Sequence, residues 1–144
     1  MAIVPEAVRV QVVAQADGLC EYCRYPEAFN SGRFAVDHIF PRSRGGLDDL
    51  TNLALSCRSC NERKQNAMEA LDPATGDRVS LFHPRRDRWE AHFAWSSDFR
   101  LMIGLTATGR ATIARLQTNH SGVVRQREVL HQLGLHPALP TDQE

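Results

Sequence analysis

"LSCRSCNERK", residues 55–64, sets Cys57 and Cys60 in a C-x-x-C pair and follows them at once with Asn61 and the basic pair Arg63-Lys64. Such a pair serves as a redox couple, as half of a metal site, or as two buried thiols. Upstream, "GLCEYC" (18–23) holds the remaining cysteines, Cys20 and Cys23, in the same spacing. A redox couple needs one pair, at a helix start beside a strand–helix unit. Two pairs with no spare cysteine instead suit a tetrahedral four-thiolate zinc site. The insert between them, residues 24–56, is longer than a compact zinc ribbon requires, so folded structure is expected inside it. A structural Zn²⁺ on Cys20, Cys23, Cys57 and Cys60 follows, and removing it should unfold the protein.

The whole chain narrows the setting. At 144 residues it is one domain, or one small module with an extension, and 42% apolar content is that of a globular protein. No apolar run approaches the ~20 residues of a membrane span. The start lacks a charged segment leading into an apolar one, so no signal peptide is expected and the cytoplasm is the expected location. Seventeen basic residues balance 17 acidic ones. That balance counts mildly against a nucleic-acid partner, although a neutral total can hide a local patch. All the basic residues but Lys64 are arginine, the residue suited to bidentate phosphate contacts.

Along the chain, Pro5 and "AVRVQVVAQA" predict a helix ending at Asp17-Gly18, with Val8, Val12 and Ala16 on one face. "RFAVDHI" (33–39) reads as a strand with Phe34 and Val36 opposed to Arg33, Ala35 and Asp37. A loop rich in Pro, Gly and Asp follows, then a return strand at 53–56 and a helix over 60–71 stopped by Asp72-Pro73. "WEAHFAW" (89–95) reads as a strand pairing with "RLMIGL" (100–105). Helices are expected from about Gly109 to Thr118 and from Ser121, as N-cap, to Leu133. The expected organisation is a zinc-knuckle core at 1–71, a β-hairpin and helical extension at 72–135, and a flexible tail at 136–144.

Taken together, Cys20-x-x-Cys23, "VDHIFPRSRGG" (36–46), "DDLTNLALSC" (48–57) and "CRSCNERK" (57–64) resemble the HNH endonuclease family in its four-cysteine, zinc-containing form. A lone Asp-His pair would mean little; this ordered set is specific. The resemblance covers about residues 17–68. It implies an α+β fold with a ββα-metal hairpin and helix stapled by zinc, cleaving phosphodiesters with a catalytic divalent ion. It casts His38 as the general base, a role that suits a side chain titrating near neutral pH. It casts Asp37 and Asn61 as ligands of the catalytic ion. Both offer hard oxygens suited to Mg²⁺ or Mn²⁺, and Asn61 stands where many relatives carry histidine. Neighbours on a regular strand point to opposite faces, so Asp37 and His38 can share a site only if the strand ends there, as Pro41 suggests. By the same resemblance Asn52 braces the loop and helps orient His38.

Arg42, Arg44, Arg63 and Lys64 are candidates to grip the phosphates of double-stranded DNA, against the ordinary reading of a solvated basic face. Arg85, Arg86 and Arg88 form a further basic run. Isolated His83 and His92 are left outside the site, and Trp89, Phe93 and Trp95 read as core rather than as a base-stacking platform. The function expected is a metal-dependent DNA endonuclease. Its rivals are a non-catalytic zinc-stabilised nucleic-acid-binding module, in which Asn61 marks a lost metal, and a protein-interaction domain.

Overall fold

The computed structural model describes residues 4–138. Pro5, whose ring fixes φ, caps α1 (Glu6–Gln15). Positive φ at Asp17 and Gly18 ends it. Val12 and Ala16 are buried and Val8 is half-buried. Arg9 lies on the core side too, its guanidinium donating to Phe34 O at 2.7 Å and pairing with Glu27.

β1 (Ala35–His38) pairs antiparallel with β2 (Leu53–Ser56), setting Asp37 opposite Ala54 and His38 opposite Leu53. Every residue of β2 is buried. α2 (Arg58–Lys64) starts directly after β2, with the Cys57 sulfur accepting from Cys60 N as its N-cap. This strand–strand–helix unit has the order expected, with one correction in its length. Asp37 is only 5% exposed. α2 stops at Lys64, because Gln65 takes a positive φ and turns the chain out of the helix.

Residues 69–71, expected as the end of that helix, are instead the strand β3 (Glu69–Leu71), paired with β4 (Arg78–Ser80). "DPATGD" is therefore the loop of a hairpin, closed by Asp72 N donating to Asp77 O at 2.8 Å and by Gly76 at φ 78°. The boundary drawn after Leu71 falls within this hairpin.

Next come α3 (Trp89–His92), β5 (Phe93–Trp95), β6 (Met102–Gly104), α4 (Ala107–Leu116) and α5 (Ser121–Gln132). The expected strand over 89–95 is thus half helix. Trp89 and Phe93 stack at 5.2 Å and Trp89 and Trp95 at 5.3 Å, so one helical turn brings together the aromatics that a strand would also have aligned. α4 begins earlier than expected, capped by Thr106, and His120 rather than Ser121 caps α5. Gly104 permits β6 to lie against α4, since a Cβ there would sit 2.7 Å from Arg110 N, and Gly109 lets α4 approach His92 O.

The architecture is α+β: five α-helices and three two-stranded antiparallel pairs among the described residues. One core joins both halves, running from Val12, Cys20, Tyr22, Leu53 and Leu55 to Phe82, Trp89, Phe93, Met102 and Leu116. Each such side chain contributes about 1.5–3 kcal/mol on burial. Polar contacts fix the docking. Trp89 Nε1 donates to Tyr22 O at 3.0 Å, and Arg85 grips Glu21 bidentately at 2.7 and 2.6 Å while its Nε reaches Leu50 O and Leu53 O. Arg85, expected on a basic surface, is therefore a structural clamp. The presumed tail begins with an ordered residue: His136 is 5% exposed, edge-on to Trp95 at 4.5 Å. Residues 139–144 lie outside the described residues. No helix among the described residues is long and apolar enough to cross a membrane.

Candidate functional site

Both cysteine pairs are shaped by their own backbone. Cys23 N points at Cys20 Sγ (3.5 Å) and Cys60 N at Cys57 Sγ (3.4 Å), while Arg24 takes a positive φ to close the first knuckle. The loop after α1 and the start of α2 then bring the four sulfurs within 4.8 Å of one another, with Cys23 and Cys57 at 3.7 Å. Tetrahedral zinc with Zn–S of about 2.3 Å needs sulfurs about 3.8 Å apart, so the residues fit that ion. Burial pushes the Cys20 thiol up, but hydrogen bonds from Cys23, Cys57 and Cys60 outweigh it and hold Cys20 well below its ordinary value. Hydrogen bonding to Cys20 and its neighbours holds Cys23 and Cys60 well above theirs. A divalent cation would let all four thiols ionise.

Arg127 of α5 stands beside this cluster. It is 2% exposed, with its guanidinium 5.0 Å over the Trp95 ring and donating to Arg100 O, Asn119 Oδ1 and Thr118 O. Burial pulls its pKa down and the four cysteines pull it back up, as suits a cation near an anionic centre.

At the hairpin mouth, Asn52 holds the loop shut. Its Oδ1 accepts from Phe40 N at 2.8 Å, and its Nδ2 donates to Phe40 O at 3.1 Å and to Leu47 O at 2.9 Å. Gly46 lets the loop fold on itself, since a Cβ there would lie 1.9 Å from Phe40 O. Over this loop, His38 Nε2 meets Asp48 Oδ1 at 2.7 Å, and Asp48 Oδ2 meets Arg42 Nη2 at 2.5 Å. The His38 hydrogen bond, then Arg42, holds the Asp48 carboxyl below its usual value.

Asp37 turns the other way, into the protein. Its Oδ2 accepts from the Tyr22 hydroxyl at 2.7 Å, and Lys64 Nζ lies 3.1 Å from Oδ2 and 3.5 Å from Oδ1. Burial pushes the Asp37 carboxyl up, and Lys64 and Tyr22 only partly offset it. Lys64 is 2% exposed, which corrects its expected place on a phosphate-binding surface: it is the buried counter-ion of Asp37. Asn61 is half-buried on α2, and among the described residues its side-chain amide has no hydrogen-bond partner. Asp37 Oδ1 is contacted only distantly, by Lys64 at 3.5 Å.

Of the other expected cations, Arg44 is exposed over Phe40, with its guanidinium 5.5 Å from the ring centre, and Arg63 bonds Ser59 at 3.4 Å. A cleft of about 570 Å³ opens between α2 and α5, lined by Cys57, Arg58, Arg63, Thr118 and His120 among others, and not by His38 or Asn61. The His38 side chain is only 14% exposed, at the mouth of the hairpin. Asp48 and Tyr22 escaped the sequence reading. Neither carries a spacing signal; each acquires its partner only when the loop or knuckle folds onto β1.

Residues 20–67, about a third of the chain, match the family model for the HNH endonucleases. No curated protein and no solved structure matches the chain. The family pattern spans both knuckles and the hairpin between them, so this segment is similar to an HNH endonuclease domain, a likeness that suggests nuclease or nucleic-acid-binding function.

Proposed function

We propose that this HNH domain is a metal-dependent endonuclease that hydrolyses phosphodiester bonds in double-stranded DNA. The observation that carries the reading is His38 at the rim of the hairpin, its ring tied to Asp48 above a loop that Asn52 staples. His38 accepts the proton of the water that attacks phosphorus. Asn52 keeps the loop, and with it the ring, in place. Asp37 and Asn61 would hold the catalytic Mg²⁺ or Mn²⁺, which when bound supplies charge stabilisation at the phosphate and leaving oxygen. Zinc on the four cysteines has no open ligand position and serves the fold alone. Arg44 and Arg63 are the cations offered to the DNA backbone, making binding salt-dependent. Reduced thiols at the cluster fit the cytoplasm.

One observation favours a second reading, a zinc-stabilised nucleic-acid-binding module without catalysis: Lys64 already neutralises Asp37. A plasmid-nicking assay with Mg²⁺, Mn²⁺ or EDTA, run beside DNA binding at low salt, separates the two. The endonuclease reading expects nicking with either ion, none with EDTA, and a loss of about 10²-fold or more in His38→Ala with its melting curve preserved. DNA binding without nicking supports the module, and full activity in His38→Ala refutes the assigned mechanism.

A further inference from the structure

Among the described residues, Asp48 is the side chain hydrogen-bonded to His38 Nε2, and its chemistry restricts what that ring can be. An ionised carboxylate only accepts hydrogen bonds. At 2.7 Å from Asp48 Oδ1, His38 Nε2 must therefore be the donor. A neutral imidazole has one N–H, so the lone pair sits on Nδ1. Asp48 is itself held from both ends: its other oxygen takes Arg42, and the loop joining Arg42 to Asp48 is pinned by three Asn52 hydrogen bonds and by the close approach at Gly46. Both carboxylate oxygens are thus committed to donors, which leaves Asp48 a poor metal ligand and a well-fixed acceptor.

We propose that Asp48 is a positioning residue that fixes His38 as the Nε2–H tautomer, with Arg42 as the counter-cation that holds Asp48, so that Nδ1 is the basic atom. The proposal rests on the nuclease reading for its catalytic meaning. In the step it serves, the water oxygen bonds to phosphorus and the water proton passes to the Nδ1 lone pair. The phosphorus–oxygen bond to the leaving group breaks with its electron pair on that oxygen. Asp48 then faces an imidazolium that it stabilises through the bond it already makes, the logic by which a carboxylate orients a catalytic histidine elsewhere. Arg42 accordingly acts through Asp48 instead of on phosphate.

The test is a long-range ¹⁵N–¹H correlation spectrum of the zinc-loaded protein without added Mg²⁺, the His38 signal being identified by its loss in His38→Ala. The wild type should show the Nε2–H form. Asp48→Asn, whose amide can donate to the ring, should shift it toward Nδ1–H and lower kcat for nicking by about 10²-fold with little change in KM. Asp48→Glu should recover part of both. Arg42→Gln should lower kcat while leaving the salt dependence of DNA binding unchanged, whereas a phosphate contact would flatten it. Melting curves and zinc content confirm that each variant is folded. An Nδ1–H tautomer in the wild type overturns the proposal, as does an Asp48→Asn protein with unaltered spectrum and kcat. An Nε2–H wild type that nicks nothing upholds the tautomer assignment and removes the nuclease reading instead.

Discussion

Two buried carboxylates, Asp37 in the β1–β2 hairpin and Asp72 in the β3–β4 hairpin, meet opposite fates. Asp72 is fully inaccessible and completely paired: Arg110 binds both its oxygens at 2.9 and 2.8 Å, and Ala74 N and Thr75 Oγ1 add 3.0 and 3.1 Å bonds. The Arg110 hydrogen bonds hold its carboxyl far below the ordinary range. Asp37 has a tyrosine hydroxyl and a lysine at 3.1–3.5 Å, and burial still leaves its carboxyl raised. A carboxylate that folding stabilises is a structural part. One that the fold holds at a cost, beside the hairpin mouth, is where function is expected.

Both hairpins depend on the four-cysteine cluster through the shared core. Chelating zinc, or replacing Cys60 with Ser, should abolish the cooperative unfolding transition, because zinc binding in such sites contributes about 10 kcal/mol or more. A far-UV dichroism melt with and without chelator reads it. An unchanged melt would mean that the core stands without the ion.

Next comes the Lys64–Asp37 pair. Lys64→Met should cost about 3–5 kcal/mol in denaturant unfolding, since it strands a buried charge. Adding Asp37→Asn to that variant should recover most of the loss. A double variant as unstable as the single one would show that Lys64 acts by packing alone.

The smallest effects, and the sharpest contrast, lie in pH dependence. Asp72 has a depressed folded pKa, so its stabilising contribution is fully present above its unfolded value of about 3.9 and is lost as pH falls below it. Asp37 has a raised one. Its folded state binds the proton more tightly, so stability falls as pH rises from about 3.9 through the raised value. Asp72→Asn should therefore lower stability at neutral pH and flatten the acid limb. Asp37→Asn should remove the decline above pH about 4, while the buried Lys64 charge it strands lowers stability throughout the neutral range. Stability against pH for the two variants checks both signs; slopes of the same sign would contradict the comparison.

The hairpin and its knuckles were legible because their signals are local. A C-x-x-C spacing bends its own backbone, and Pro5 and Gly18 bound α1. The second half was less so. "WEAHFAW" satisfies a strand period, yet its first turn coils because Trp89 reaches Tyr22 O, a contact far away in the chain. The end of α2 was missed for a related reason: Gln65 takes a positive φ that its residue type does not announce.

By itself the sequence determined the two cysteine pairs, the strand–strand–helix order and the residues at the mouth of the hairpin, since each depends on neighbours within a few positions. Only the tertiary structure decided which charge meets which. It sent Arg85 to Glu21, Lys64 to Asp37 and Asp48 to His38, so that residues expected on a phosphate-binding surface became interior partners and an unremarked aspartate came to hold the histidine. Charge does not encode its partner: with 17 basic and 17 acidic side chains, pairing is set by the packing that excludes water between two of them, and that packing belongs to the whole fold.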